Sequence, residues 1–254
     1  MTLTVGTGLV AALYASVGHG GASGYLALMA LAGCEHNLMS TTALLLNLLV
    51  AGTAWRMFTQ AGHGSWRLIW PFVIGSVPMA IVGGWLQVPP AIYGGCLAIA
   101  FIAAAIRLGL QSGGAAPVTR LRALSRLPCA RSPRLPAAMA IGAGIGLLSG
   151  IVGVGGGIFL SPLMLLCGWA NPKRTAAASA GFIVLNSLAG LAGRFAAGRL
   201  AAPAGILPLA IAACAGGIIG AHIGARRLPH LALRRVLAGV LVIAAAKWLV
   251  LLHA

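Results

Sequence analysis

A cluster of glycines interrupts a long apolar stretch of this chain, and the cluster occurs twice. The second copy, GIVGVGGGIFLSPL at residues 150–163, contains glycines at 153, 155, 156 and 157. The first copy, SVGHGGASGYLALM at residues 16–29, carries glycines 135 residues earlier, at 18, 20 and 21. Glycine has no Cβ, so it adopts backbone conformations closed to other residues, and it weakens a helix by about 1 kcal/mol relative to alanine. The clusters therefore predict a helix break in each apolar segment.

Composition places these segments in a membrane. The 254-residue chain is 60% hydrophobic and 7% charged, whereas a soluble domain carries about 25% charged residues. We therefore expect an all-α polytopic membrane protein with the lipid bilayer as its partner. The opening residues, MTLTVGTGLV, lack a basic start, and no cleaved signal peptide is predicted.

The charge balance is strongly basic, with 17 Lys and Arg against the single acid Glu35. Most of the basic residues flank apolar segments, which is typical of topology control near anionic headgroups and not of nucleic-acid binding. No carboxylate lies inside a predicted span, so cation transport through carboxylates is disfavoured. The five cysteines are scattered singly, and no metal or cofactor is predicted.

The chain divides into a first membrane repeat at 1–111, a basic cytoplasmic linker at 112–136 and a second membrane repeat at 137–254. Each repeat begins with a glycine-broken segment, at 3–32 and at 137–167, and continues with three predicted transmembrane helices. The predicted helices are 38–58, 68–86 and 91–110 in the first repeat and 175–196, 200–224 and 231–253 in the second.

The repeat extends beyond the glycines. Asn47 followed by Arg56 matches Asn186 followed by Arg194. Pro89 with the later IAAAIR likewise matches Pro229 with the later IAAAK. Internal repeats with interrupted helices at corresponding positions are typical of secondary transporters.

Charge distinguishes two orientations of the halves. If each broken segment crosses the membrane once, the halves are parallel, and 11 of the 17 basic residues lie on the side of the linker. If each broken segment re-enters or forms a pair of half-helices, the halves are inverted, and only Arg194, Arg199 and Lys247 lie outside. The positive-inside rule favours the inverted repeat, with both termini outside the cytoplasm and the two breaks meeting near the midplane.

GVGGGIFLSPLML in the second half and GHGGASGYLALMAL in the first resemble the TauE/SafE sulfite-exporter family of bacterial membrane proteins. The resemblance implies a multi-pass transporter of the bacterial inner membrane, not an enzyme, that exports sulfite, a sulfonate or a similar small anion. The first half departs from the second, with His19 at the position of Val154 and Leu26-Ala27 at the position of Ser161-Pro162.

Backbone amides at the breaks are the predicted anion ligands, because helix N-termini offer unpaired N–H groups and a partial positive charge. The alternative is that the glycines only permit close helix packing. The predicted ligand positions are Gly20, Gly21, Gly155, Gly156 and Gly157.

Four polar side chains extend this prediction. Asn47 and Asn186 lie within apolar segments, where they either donate to the anion or form only interhelical hydrogen bonds. Ser23 is a hydroxyl donor in one copy alone. His19 contacts the anion, carries a proton or is a buried imidazole with satisfied hydrogen bonds.

Arg56 and Arg194 are the remaining predicted substrate contacts. They form anion vestibules on the two faces, or they extend along the apolar surface to lipid headgroups. The second interpretation is favoured.

Three rival functions remain open from the sequence. Gly21 to Gly24 spells GASG, typical of an intramembrane serine hydrolase in which Ser23 is the nucleophile and His222 the base. The duplicated glycine pattern accounts for this motif better. A passive channel for an anion or neutral solute and a structural subunit are the other two, and assembly as a homo-oligomer is compatible with all of them.

Overall fold

The computed structural model of the chain describes residues 2–64, 66–86, 135–200 and 205–229. All secondary structure in these ranges is helical. The predicted spans 91–110 and 231–253, and most of the linker, lie outside the described residues. The helices are α1 (Thr2–Ala15), α2 (Ala22–Leu31), α3 (His36–Gln60), α4 (Trp66–Trp85), α5 (Leu135–Val152), α6 (Gly157–Leu166), α7 (Pro172–Ala196) and α8 (Ile206–His222), which continues into a π-helical turn (Ile223–Arg227).

The predicted helix breaks are present in both halves. The chain leaves the helical path between α1 and α2 and again between α5 and α6. Gly21, directly before α2, has φ 95°, and Gly156, directly before α6, has φ 77°. L-residues with a Cβ rarely adopt this left-handed region. The glycines are therefore required by the backbone conformation at the entry to each second half-helix.

Five described helices, namely α3, α4, α5, α7 and α8, are long and apolar enough to cross a membrane. The ten-residue helices α2 and α6 would reach only about 15 Å at 1.5 Å per residue, half of a hydrocarbon core of about 30 Å. The fold is accordingly that of an all-helical, multi-pass membrane protein in which short helices follow each break.

The fourth helix of each half packs against the first helix of the other half. Gly142 and Gly150 of α5 lie against the carbonyls of Phe72 and Ala80 of α4, so these two helices run in the same direction. A Cβ at either glycine would overlap the opposing carbonyl oxygen. The two halves therefore interlock through helix pairs that approach at backbone distance.

The pair α1 and α8 repeats this arrangement. Gly216 and Gly220 of α8 lie against the carbonyls of Gly8 and Ala12 of α1, in the same order along both helices. Between the two interlocked pairs, α3 packs on α7. These central helices run in opposite directions, because Leu44 faces Gly190 while Trp55 faces Gly181.

The bounds of the central helices α3 and α7 show which residues of the two halves correspond. Both contain 25 residues, and Asn47 lies 11 residues after the start of α3, as Ile183 does after the start of α7. Asn186 lies one helical turn further along α7. The predicted pairing of Asn47 with Asn186 is therefore wrong in register.

The arginine pairing fails for the same reason. Counted from the start of α3 and α7, Arg56 corresponds to Ala192, and Arg194 corresponds to Phe58. The number of residues from Asn47 to Asn186, and from Arg56 to Arg194, is larger than the number of residues from the start of α3 to the start of α7. Similar residue types at similar spacing concealed this shift.

The close approach of α4 and α5 predicts opposite effects for two neighbouring glycines. Gly146→Ala should lower the thermal unfolding temperature of the detergent-purified protein, because its Cβ would overlap the Ser76 carbonyl oxygen. Gly144→Ala, where a Cβ meets nothing within 4 Å, should be neutral or stabilising, because alanine favours helix by about 1 kcal/mol. Equal unfolding temperatures for the two variants would contradict this packing.

Candidate functional site

The two helix breaks meet at one buried side chain of α3. Asn47 is fully buried, and its Oδ1 accepts a hydrogen bond from the Ala22 amide at 3.1 Å. Its Nδ2 donates to the Val154 carbonyl at 3.1 Å. A buried amide stabilises its surroundings only when its donors and acceptors are paired. Asn47 therefore joins the start of α2 to the second break, from a position near the middle of α3.

Several backbone amides at the breaks have no hydrogen-bond acceptor in the described part of the chain. The N–H groups of Gly20 and Gly21 at the first break, and of Val154, Gly155 and Gly156 at the second, have no hydrogen-bond partner among the described residues. The carbonyls of Gly21 and Gly156, in contrast, accept hydrogen bonds from backbone amides in the first turns of α2 and α6. The breaks thus bring N–H donors and the partial positive charge of two helix N-termini into one buried region.

His19 connects the first break to the second half. Its Nδ1 lies 3.1 Å from the Val17 carbonyl, and its Nε2 lies 3.3 Å from Ser161 Oγ of α6. Because a carbonyl only accepts, Nδ1 donates to Val17, and in the neutral ring Nε2 then accepts from Ser161. Ser161 Oγ is in turn 2.5 Å from Ser179 Oγ of α7. The imidazole is buried and hydrogen-bonded on both nitrogens.

Ser23 has a tyrosine partner. Its hydroxyl donates to Tyr14 Oη at 2.8 Å, and both side chains are buried. His222, the base of the rival hydrolase interpretation, is exposed at the end of α8. The hydroxyl of Ser23 therefore links α2 to α1 through Tyr14. No histidine base contacts Ser23 among the described residues.

Asn186 forms one hydrogen bond to another helix and one within its own helix. Its Oδ1 accepts from Ser76 Oγ of α4 at 2.5 Å, and its Nδ2 donates to the Phe182 carbonyl at 2.9 Å. The side chain is fully buried. Of the two asparagines, Asn47 contacts both breaks, and Asn186 joins α4 to α7.

The two predicted arginines lie in different environments. Arg194 is 3% exposed, and its Nη2 donates to the Ile151 carbonyl at 3.2 Å and the Gly150 carbonyl at 3.5 Å. The expectation that Arg194 extends to headgroups is wrong, because its guanidinium is held at the last turn of α5, where carbonyls favour a cation. Arg199 caps α4 in the same way, at the carbonyls of residues 84–86. Arg56 is exposed on α3.

Two serines beside the second break were missed by the sequence reasoning. Ser149 and Ser187 are fully buried, and neither hydroxyl has a partner in the described part of the chain. Ser187 Oγ lies 3.1 Å from the position that a Cβ of Gly155 would occupy. The signal was the spacing of Ser179 and Ser187, eight residues apart on an apolar helix, which places both on one face.

The side chains that surround the second break are neutral. No group of three His, Cys, Asp or Glu side chains within the described ranges could hold a metal ion. The side chains nearest the second break are amide, hydroxyl and aliphatic or aromatic groups.

The bridging role of Asn47 predicts a stability effect. Asn47→Ala would leave the Ala22 amide and the Val154 carbonyl without this partner, at about 1–3 kcal/mol for each buried group. We expect a lower thermal unfolding temperature in detergent. Asn37→Ala, earlier in α3 at a partly exposed position, is the control and should unfold like the unaltered protein. An unchanged unfolding temperature for Asn47→Ala would contradict the bridge.

Comparison with known proteins agrees with this architecture. The profile of the family described as Sulfite exporter TauE/SafE matches residues 3–248. "Probable membrane transporter protein y4hK" of Sinorhizobium fredii (strain NBRC 101917 / NGR234) is 37% identical over 241 residues, covering 95% of this chain and 94% of that protein. No solved structure matches significantly. The chain thus belongs to the TauE/SafE sulfite exporter family and is a multi-pass membrane transporter of that type.

Proposed function

We propose that the protein exports a small sulfur-containing anion, such as sulfite or a sulfonate, across the bacterial inner membrane through a site between the two helix breaks. The observation that carries this proposal is the set of break amides, at residues 20, 21 and 154–156, that have no hydrogen-bond acceptor among the described residues. An anion supplies the acceptor oxygens that these N–H groups require. The family membership supports the same class of substrate, and the homologue supports a transport function.

Neutral donors suit a transport site. A buried anion paired with a fixed cation is held tightly by charge attraction, whereas helix N-termini and amides compensate its desolvation without an ion pair. Broken helices whose N-termini face an anion near the bilayer midplane are a recurrent solution among transporters. The breaks of this chain are buried and close to the middle of α3, which supports such a site.

We further propose that the halves form an inverted repeat with re-entrant half-helix pairs. The opposite directions of the corresponding helices α3 and α7 support this arrangement. The charge distribution supports it as well, because it places 14 of the 17 basic residues on the cytoplasmic side. Each break would then be reached from a different face of the membrane.

The driving force follows from charge. The only acid, Glu35, is exposed directly before α3, so no membrane carboxylate is available to bind Na⁺. An inside-negative potential favours the exit of a monoanion by about 2.3 kcal/mol per 100 mV. Voltage alone can therefore drive export.

The topology has a direct test. Alkaline phosphatase fused after Ala254 should be active, and a fluorescent protein inserted in the linker at 112–134 should be bright, because the inverted repeat places the C-terminus outside and the linker inside. A fluorescent C-terminal fusion combined with an inactive phosphatase fusion would refute the inverted repeat and favour parallel halves.

Export itself is tested in reconstituted vesicles. Efflux of preloaded sulfite or methanesulfonate should accelerate when valinomycin and a potassium gradient make the interior negative, and removal of Na⁺ should have no effect. Strict dependence on Na⁺ would contradict the argument from missing carboxylates. Dependence on pH without dependence on voltage would show that a proton accompanies the anion.

Two glycine variants connect the flux to the breaks. Gly157→Ala adds a methyl group that would overlap the Ile183 side chain beside the second break, at a residue whose φ does not require glycine. Flux should fall at normal membrane abundance. Gly52→Ala of α3, where a Cβ meets nothing within 4 Å, is the control and should retain flux. Normal flux in Gly157→Ala would weigh against a site at the second break.

A further inference from the structure

We propose that the two breaks are unequal and that the anion binds at the second one, at the N-terminus of α6. Its ligands there are the amides of Gly155 and Gly156 and the hydroxyls of Ser149 and Ser187. The ligand class is a singly charged oxyanion with a compact apolar substituent, as in an alkanesulfonate. This inference rests on the proposed export of an anion and assigns the site and the charge class within it.

The inequality begins with one pair of corresponding residues. At the first break, Asn47 Oδ1 already accepts from the Ala22 amide, the first amide of α2. The corresponding position of α7 is Ile183, whose side chain lies against Gly155 and Gly157 and cannot accept a hydrogen bond. The N-terminus of α2 is therefore capped from within the protein, and the N-terminus of α6 is not capped by the corresponding residue.

The second break also has more buried hydroxyls without a described partner than the first, which has Tyr25 Oη alone beside Gly21. Ser149 and Ser187 have no exposed surface and no hydrogen-bond partner among the described residues. Ser187 Oγ lies 3.1 Å from the Cβ position of Gly155, and Ser149 Cβ lies 3.4 Å from that of Gly156. Two buried donors thus accompany the two unpaired amides at one helix end.

The first half has no equivalent pair. By the offsets that relate the helices, Ser187 corresponds to Ala51, which has no hydroxyl. Ser149 corresponds to Tyr14, whose hydroxyl already accepts from Ser23. At the first break, Asn47, Tyr14 and Ser23 are thus paired within the protein, and one buried hydroxyl, Tyr25 Oη beside Gly21, has no partner among the described residues. The second break leaves two such hydroxyls, those of Ser149 and Ser187, available to a ligand.

The surroundings indicate the charge and shape of that ligand. The other side chains closest to Gly155 and Gly156 are Ile145, Phe182, Ile183 and the neutral Asn47, so the nearest atoms carry no formal charge. Desolvation cost rises steeply with charge, and without a paired cation a divalent anion is disfavoured. A sulfonate group offers three acceptor oxygens with one negative charge, and its alkyl substituent fits an apolar wall.

Arg194 favours an anion at this end without binding it. It lies seven residues after Ser187 on α7, about 10 Å along the helix axis at 1.5 Å per residue. Its guanidinium donates to carbonyls of the last turn of α5. Its field is therefore positive at the site while its hydrogen bonds hold the helix that leads into the break.

Calorimetric binding of methanesulfonate to the full-length protein in detergent tests the assignment. Ser187→Ala and Ser149→Ala should each raise the Kd about tenfold, because each removes one hydrogen bond to a charged group. The matched control is Thr175→Val, which removes another buried, unpartnered hydroxyl from the same helix at its far end. Its Kd should not change. Sulfate should bind at least tenfold more weakly than methanesulfonate, and uncharged dimethyl sulfone should not compete.

The outcomes separate this inference from the proposed export. Wild-type affinity in both serine variants, at wild-type thermal stability, would overturn the assignment to the second break while leaving export intact. Sulfate binding as tightly as methanesulfonate would overturn the assignment of charge class. If vesicles of the unaltered protein move none of the sulfur anions, the proposed export fails and this inference fails with it.

Discussion

A backbone amide that leaves a helix inside a bilayer has no water to bind, and the arrangement of this protein depends on how such amides are satisfied. The chain interrupts two apolar segments at glycines with left-handed φ and buries both interruptions against the central helices. Part of the freed hydrogen-bonding capacity is met by Asn47, which contacts both breaks. Irregular backbone at membrane depth is stable only under such cover.

Close helix contacts provide that cover. Glycines along α5 and α8 allow their helices to approach α4 and α1 until backbone faces backbone. Without bulk water to drive apolar association, contact area and carbonyl packing are the main sources of affinity between membrane helices. The glycines in the breaks and the glycines in the helix pairs therefore have different roles, since the first group shapes the backbone path and the second permits proximity.

The sequence was sufficient to predict the helix breaks and the described spans, because glycine clustering and apolar length follow directly from backbone sterics and bilayer thickness. Residue spacing was misleading for Asn186 and Arg194, since one polar residue in an apolar helix resembles another until the helix start is known. The burial of Arg194 was also not predictable, because it depends on the α5 carbonyls that lie beside it. Ser149 and Ser187 acquire meaning only when α5, α6 and α7 are brought together.

The packing of the first helix of each half against the fourth helix of the other half has a consequence for biosynthesis. Most contacts of α1 with other helices are made with α8, which begins only at Ile206. During synthesis, the first break enters the membrane before α7, which packs against it at Gly18, exists, and its polar groups must be shielded by lipid headgroups, by water or by the insertion machinery. Assembly therefore concludes with a long-range docking event. Chains truncated before α8 would expose the face of α1 that α8 covers and become substrates for membrane quality-control proteases, so that the abundance of this transporter depends on a helix made late in synthesis.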